Sequence, residues 1–529
     1  MLPSLLSTDL CSLWNQRDRY AVSVFWVIDL PDYKITSVQY GRSIIRSSYK
    51  LEYSQAQDIY DGNVPRETNV EFMKQLISGC ESWTEVEIEN EFEKLRDSLS
   101  HLVAIAVALS NRRQGLELED VEISVELHEE TVTDSKTPTG QPTSLIGGIK
   151  PKKSMLMHHV IAELMILANH WVAKRIFESW PEKAVLRSHP APVDRKLEDL
   201  RRLAEVCGFQ VDSSSNQSLA KSLDQCSNPT EPMVNKIFRM LAIKAMQQAS
   251  YFCTGSHLGS EPENRFEHFG LGLDFYTHFT SPIRRYADIL VHRLLLAAIK
   301  LENASPLDSL SATEVQEICD HLNIQHRSAQ NVERDCRELF QAFYFQSLPT
   351  DDERRIAEGL IFDIRQHAVW VFVPHYGLTG LCYLKDLADL VLWIDDSGEI
   401  SWTSGTLAVS SKSVTVEKST GENQTWALFQ HVAVKVEIVE SRFRPPQIKL
   451  LLVGHDSSKV HSDLRIDNLT NSNAENIREL VNKLEFLKLT EHKLNYDTAG
   501  LESCDNDNQT FYDFLENLKT EFWAKDISS

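Results

Sequence analysis

The chain has 529 residues, enough for two to four domains and a large core, and its 42% hydrophobic and 25% charged residues are an ordinary globular balance. Its 54 basic residues against 76 acidic ones give a formal charge of −22, which argues against indiscriminate coating of nucleic acid but leaves room for a local basic channel. Nine scattered cysteines without a Cys-x-x-Cys pair, and the lack of a secretory leader or long uncharged apolar run, read as reduced thiols in an intracellular protein with no membrane partner.

In chain order, residues 20–28 and 34–46 read as two buried strands joined by a turn at Pro31-Asp32. From about 71 to 111 the pattern is helical, 121–127 alternates as a strand with one wet face, and the Thr/Ser/Pro/Gly stretch 131–148 reads as a mobile loop. Helices fill most of 154–250 and 282–346, with 212–222 as a polar break in the first. The second helical region starts at 282 on this reading, because Thr280 or Ser281 can cap it and Pro282 suits the first position. Ile283, Ala287, Leu290, Val291, Leu294 and Leu295 then recur at helical spacing. Beyond 349 the chain is β-rich through 355–364 and 369–374, turns at Tyr376-Gly377, and keeps returning to strands up to Leu452. Residues 401–424 read as a polar insertion, and an amphipathic helix is expected near 477–489 in an acidic tail.

The most informative residues follow from that helix start. Arg284 and Arg285 would lie in its first turn, where the macrodipole carries roughly half a positive charge and disfavours a cation unless an anion stands beside it. A bound phosphate would offset the cost; so would pairing with Asp274 or Asp288. Glu163 stands in the apolar run 160–168, where an unpaired charge would cost several kcal/mol, so it needs a partner. His159 and Glu163 are four apart without the His-Glu-x-x-His order, which removes a zinc-protease reading.

His268-Phe269-Gly270-Leu271, the run from Tyr276 to Asp288, and His292 together resemble the signature of the RNase II family, whose catalytic unit is the RNB domain. Asp274-Phe275-Tyr276 and residues 289–295 are similar to the eukaryotic, exosome-associated branch, with the cytoplasmic members nearer. The resemblance implies an α+β RNB catalytic domain over 1–348 and an all-β OB-fold RNA-binding domain over 349–455, with the acidic tail at 456–529. It further implies a 3′-to-5′ exoribonuclease that uses magnesium to release nucleoside monophosphates from single-stranded RNA, not DNA. An RNA exosome partner and a cytoplasmic location, with the nucleus as alternative, are implied too. Arg284 would stabilise charge on the scissile phosphate, and Glu163 would lie near the RNA 3′ end, a salt bridge to a core arginine being its alternative.

Supporting RNA contacts fall on Arg285, His278 and Tyr276, and on Arg187 and His189 of Arg187-Ser188-His189-Pro190-Ala191-Pro192, which resembles the family's Arg-x-His-Pro-x-Pro turn. Simple turn structure explains that motif equally well. Glu333 is another matched acid, with helix-surface pairing to Arg337 as the alternative. Among the aromatics, Trp370 and Phe372 fit a barrel core as well as a stacking role, while Tyr376 is expected at the surface.

One expectation is negative. The family holds magnesium with closely spaced aspartates upstream of a Leu-Pro-x-x-Leu-Ser-x-x-Leu-Cys-Ser-Leu motif, which here is residues 2–13. Asp9, Asp18, Asp29 and Asp32 are too spread for one cage, and Asp351-Asp352 sits at a linker. The expectation is a chain cut short at its start, inactive alone; the alternative is a non-catalytic RNA-binding or exosome-interacting protein.

Overall fold

The computed structural model describes residues 2–30, 32–63, 72–74, 83–113, 115–116, 122–127, 146–152, 154–228, 231–257, 266–299, 310–395, 399–458 and 460–466. The helix expected at 477–489 lies outside them, as does most of the loop expected at 131–148, whose last three residues belong instead to a strand.

After a short helical turn at Leu5–Leu10, β1 (Asp18–Asp29) and β2 (Lys34–Arg46) form the expected antiparallel hairpin, but the strands are half-exposed rather than buried, with only one face packed. Val22, Val24 and Trp26 alternate along β1 and pack on the helical core, as a period of two requires. Helices α1 (Tyr53–Asp61) and α2 (Glu85–Arg113) follow, α2 with Glu85 and Glu87 in its first turn and Arg112 and Arg113 in its last, each charge at the favoured end of the dipole. The hairpin of β3 (Ile123–Leu127) and β4 (Ile146–Pro151) leads into α3 (Leu156–Ser179), where Val172, Ala173 and Ile176 are wholly buried.

A two-stranded sheet of β5 (Val185–Ser188) and β6 (Ser250–Cys253) brackets α4 (Glu198–Cys207), α5 (Asn216–Gln225) and α6 (Met233–Ala245). The polar break expected at 212–222 is corrected here, because α5 occupies its second half. Ser215 Oγ accepts from the Ser218 amide at 3.0 Å and starts the helix, and Leu219 and Leu223, one turn apart, carry it into the core. Two helices complete this part, α7 (Tyr286–Ala298) and the 36-residue α8 (Ala312–Ser347), the latter opened by a capping box of Ser311 and Glu314.

The remainder is β-structure. Strands β7 (Ile356–Ile364), β8 (Ala368–Val373) and β9 (Leu378–Tyr383) join β14 (His431–Val439) and β15 (Gln447–Gly454) in the order β15-β14-β7-β8-β9. The sheet curls until its edges face: a Cβ on Gly380 of β9 would stand 3.0 Å from Leu450 Cδ1 of β15. Between β9 and β14, the strands β10 (Leu390–Ile394), β11 (Ile400–Val409), β12 (Ser413–Lys418) and β13 (Asn423–Ala427) make a second antiparallel sheet. The insertion expected at 401–424 is therefore mostly strand. Its polar residues are the wet side of a period-two pattern whose other side, Val414 and Val416, is fully buried. The whole is α+β, helices with a barrel-like sheet, as expected.

Helices and sheet share side chains. Tyr344 and Phe345 of α8 enter the sheet core, while Leu360, Phe362 and Phe372 of the sheet pack among α4–α6. His431 of β14 adds a polar joint, its Nδ1 2.8 Å from Glu358 Oε1 and its Nε2 2.5 Å from Glu231 Oε2, next to α6.

Candidate nucleic-acid interface

Residues 275–281 have no regular structure, so their backbone groups must find partners elsewhere. Polar side chains from two flanking helices supply several of them, and Thr277 ties the segment to β5. Asn169 of α3 accepts from the Phe279 amide at 2.8 Å and donates to the Tyr276 hydroxyl at 3.1 Å. His170 faces the Phe275 carbonyl at 2.9 Å, Thr277 Oγ1 donates to the Val185 carbonyl at 2.8 Å, and His292 of α7 meets the Phe279 carbonyl at 2.8 Å.

On this floor the Arg187 guanidinium lies 4.8 Å over the Tyr251 ring, with Nη2 3.4 Å from His326 Nε2 of α8. Its Nη1 is buried with no hydrogen-bond acceptor among the described residues. The Tyr251 hydroxyl hydrogen-bonds His278 Nδ1, and the His278 ring stands edge-on to Tyr251 and Tyr276, each centroid 5.6 Å away. Burial first, then Arg285 and Arg187, push His278 down to about 2. His268, 5.0 Å from His189, is pushed down to about 3 by burial, then by His189 and Arg187. Both rings are neutral, so the positive charge of this surface belongs to its arginines.

The expected helix start is corrected. Residues 282–284 form a separate turn, with the Arg285 amide bonded to the Ser281 carbonyl at 3.1 Å, and α7 begins only at Tyr286. Asp288 explains the shift: its buried Oδ1 accepts from the Ser281 amide at 2.7 Å and from Arg285 Nη2 at 2.8 Å. The anion that satisfies Arg285 is thus internal, and Arg285 is not a free phosphate ligand. Arg284 is exposed and has no side-chain partner among the described residues.

The other expected residues divide. Tyr276 is 7% exposed and belongs to the floor rather than to a face that RNA can touch. His189 spends both ring nitrogens on backbone groups of two other segments, Nε2 2.8 Å from the Gln247 carbonyl and Nδ1 accepting from the Gly270 amide at 2.9 Å, which favours a structural role over RNA contact. Glu163 forms an ion pair with Arg113, whose Nε lies 3.2 Å from Glu163 Oε2 and whose Nη1 donates to the Leu271 carbonyl at 2.9 Å. The arginine partner named as its alternative therefore exists. Glu333 is surface-exposed and 3.7 Å from Arg337, also as its alternative had it.

Tyr376, expected at the surface, is 1% exposed. Gly377, at a φ of 60°, ends the preceding turn and lets the Tyr376 ring fold back against Phe345, centroids 4.9 Å apart, while its hydroxyl donates to the Arg354 carbonyl at 2.6 Å. Phe372 is core and Trp370 half-buried.

Sequence reasoning missed Tyr251, His326 and Arg113. Only Arg113 left a signal, as a cation at the end of a long helix facing the problem of a buried Glu163. Magnesium does not fit the described residues: no three His, Cys, Asp or Glu side chains are arranged to hold a metal ion, and Asp9 and Asp18 already face Arg17 and Arg46 at 3.5 and 2.9 Å.

A family model described as RNB domain matches residues 1–301. The probable exosome complex exonuclease RRP44 of Caenorhabditis elegans is 32% identical over 456 residues, 86% of this chain and 41% of that protein. Mycoplasma genitalium RNase R, solved in complex with ribose-methylated single-stranded RNA, superposes with a TM-score of 0.60 at 20% identity, covering 85% of this chain and 60% of the other. Yeast Ssd1, described as a pseudonuclease, superposes with a TM-score of 0.57 at 17% identity over 86% and 59%. The chain spans about two-fifths of the length of the curated relatives it matches.

Proposed function

This chain belongs to the RNB-domain family, and from that premise we propose that it serves 3′-to-5′ decay of single-stranded RNA in the cytoplasm, with an RNA exosome as partner. The observation that carries the reading is Arg284, an exposed cation without a side-chain partner among the described residues, next to an Arg285 that is paired internally with Asp288. An exposed, unpaired guanidinium takes phosphate without first breaking another bond. Arg187, buried against Tyr251 with one unsatisfied donor, adds positive charge from below rather than a surface contact.

In this reading Arg284 holds a backbone phosphate near the RNA 3′ end, and the Arg113–Glu163 pair presents a carboxylate to ribose hydroxyls, which separates RNA from DNA. Magnesium supplies hydrolytic chemistry in the expected family reaction, but these residues form no donor set for it, and no hydrolytic step is assigned to them. The 529-residue chain alone then binds RNA without shortening it. A non-catalytic RNA-binding role is the second reading, resting on the lack of a metal-holding group among the described residues.

The test is a time course with the purified chain, 5′-labelled single-stranded RNA and magnesium, beside a salt-dependent binding assay. Salt-sensitive binding without shortening is expected. Laddered shortening from the 3′ end, abolished by Arg284→Ala, would mean a metal site exists and the inactivity is wrong; no binding at all would remove the RNA reading.

A further inference from the structure

The β1–β2 hairpin is a sheet of two strands, so β2 has a neighbour on one side only. Among the described residues no backbone group pairs with its other edge. Such an edge is a row of unpaired N–H and C=O groups, normally guarded by a proline, a charged side chain or a bulge. β2 has a bulge at Thr36, where the register steps from Val27↔Ser37 to Ile28↔Ile35, and beyond it the ladder is regular to Arg46. From Ser37 to Gly41 the edge reads Ser-Val-Gln-Tyr-Gly, with no charge and no proline. A cleft of about 630 Å³ runs along it, lined by the consecutive β2 residues 35–40 and by none of β1. α3 closes the other side with Trp171, Lys174, Arg175 and Glu178. The Tyr40 hydroxyl donates to the Trp171 carbonyl at 2.9 Å and pins the strand to the helix. Lys174 is exposed, with Nζ 5.3 Å from the Trp171 ring centroid, and Arg175 gives Nη2 to the Ala298 carbonyl at 3.2 Å. Neither cation forms an ion pair among the described residues.

We propose that this edge is a docking site for an extended acidic peptide of a partner protein, which adds a third strand to the hairpin along Ser37–Gly41. Val38 and Tyr40 stand opposite Trp26 and Val24 on the face that packs on the helices, so every second side chain of the added strand falls beside them into the cleft. Backbone pairing supplies affinity for any sequence, and the inward pockets supply the choice. Lys174 and Arg175 select carboxylates there, while Glu178, one turn further along α3, keeps the acidic positions at their end of the cleft. A nucleic acid would meet the two cations but would leave the N–H and C=O groups of the edge unpaired. The edge therefore favours a peptide.

The experiment pairs hydrogen exchange over 37–41 in the full chain with anisotropy titrations of a fluorescein-labelled peptide of about nine residues that alternates glutamate with valine. Its lysine counterpart and a fully N-methylated form serve as controls. In the free chain some amides of 37–41 should exchange rapidly, and the acidic peptide should bind saturably and protect them. The lysine peptide should bind about tenfold more weakly, and the N-methylated one, which has no donors for the edge, should not bind. Lys174→Glu should weaken the acidic peptide about fivefold without changing the melting temperature, because the side chain is exposed. Protection of these amides in the free monomer would mean that the chain covers its own edge, and protection that grows with a concentration-dependent dimer would assign the edge to a second copy. Either result overturns the proposal. So do equal binding of acidic and basic peptides, undiminished binding of the N-methylated form or by Lys174→Glu, and displacement of the peptide by single-stranded RNA, which would give the cleft to nucleic acid.

Discussion

Glu358 faces His431 Nδ1 at 2.8 Å while Glu231 faces the opposite nitrogen of the same ring at 2.5 Å, so one imidazolium ties the barrel-like sheet to the helical cluster. Hydrogen bonds from the ring to Glu231 and Glu358 raise His431 from 6.5 to about 10. A folded value above the unfolded one gives stability that is complete below about pH 6.5 and is lost as pH rises toward 10. Melting temperature should therefore fall through that window. His431→Gln should remove this dependence and cost about 3 kcal/mol at neutral pH, because it leaves two carboxylates without their cation. A wild-type profile that is flat from pH 7 to 10 would refute the joint.

Arg284 and Arg285 are neighbours in sequence but opposites in role. Arg284→Ala should leave the melting temperature unchanged and lower the salt slope of RNA binding by about 0.7, one phosphate on a single strand. Arg285→Ala should destabilise the chain by about 3 kcal/mol, since it strands the fully buried Asp288. Denaturant unfolding of both variants checks the pair; equal stabilities would count against it.

The depressed histidines give an acid limb. His278 at about 2 and His268 at about 3 stay neutral in the native chain while their unfolded counterparts take up protons below about 6.5. Stability contributed by these two is present above pH 6.5 and drains as pH falls toward 3. Between pH 5.5 and 8 neither ring should gain charge. NMR titration should show both imidazoles unshifted across that range; a midpoint near 6 for His278 would contradict the assignment.

Glu163 and Arg113 are each nearly buried and serve each other. Glu163→Gln alone should cost about 3 kcal/mol, and Glu163→Gln with Arg113→Met should recover most of it, since an ion pair replaced on both sides loses little. A double mutant no better than the single would mean that Arg113 has another role, which a parallel RNA-binding assay would locate.

The main elements were legible where periodicity is strong: the β1–β2 hairpin, the helical stretch that ends in α8, and the strands around 355–374 all lie where the pattern put them. The misses have local causes. Pro282 and the residues before it suit a helix start, but Asp288, four residues beyond Arg284, offers its carboxylate to the Ser281 amide and sets the preceding turn apart. Tyr376 stands two residues after Pro374 and directly before Gly377, which announces a turn without saying which way the ring swings. The arginine surface was half legible. Arg187, His278 and Arg285 came from the motif, while Tyr251 and His326 joined them through pairings across 64 and 139 residues that no local pattern encodes, as Arg187 stacks on one and meets the other.

Asp288 also decides what the signature loop does before RNA arrives. A turn that carried two uncompensated arginines would splay open in water and close only around an incoming phosphate, so that recognition and ordering would be one event. With its own carboxylate seated at Ser281 and Arg285, the loop is already closed. Recognition of an anion at Arg284 becomes a docking step onto a finished surface, with no loop ordering to offset.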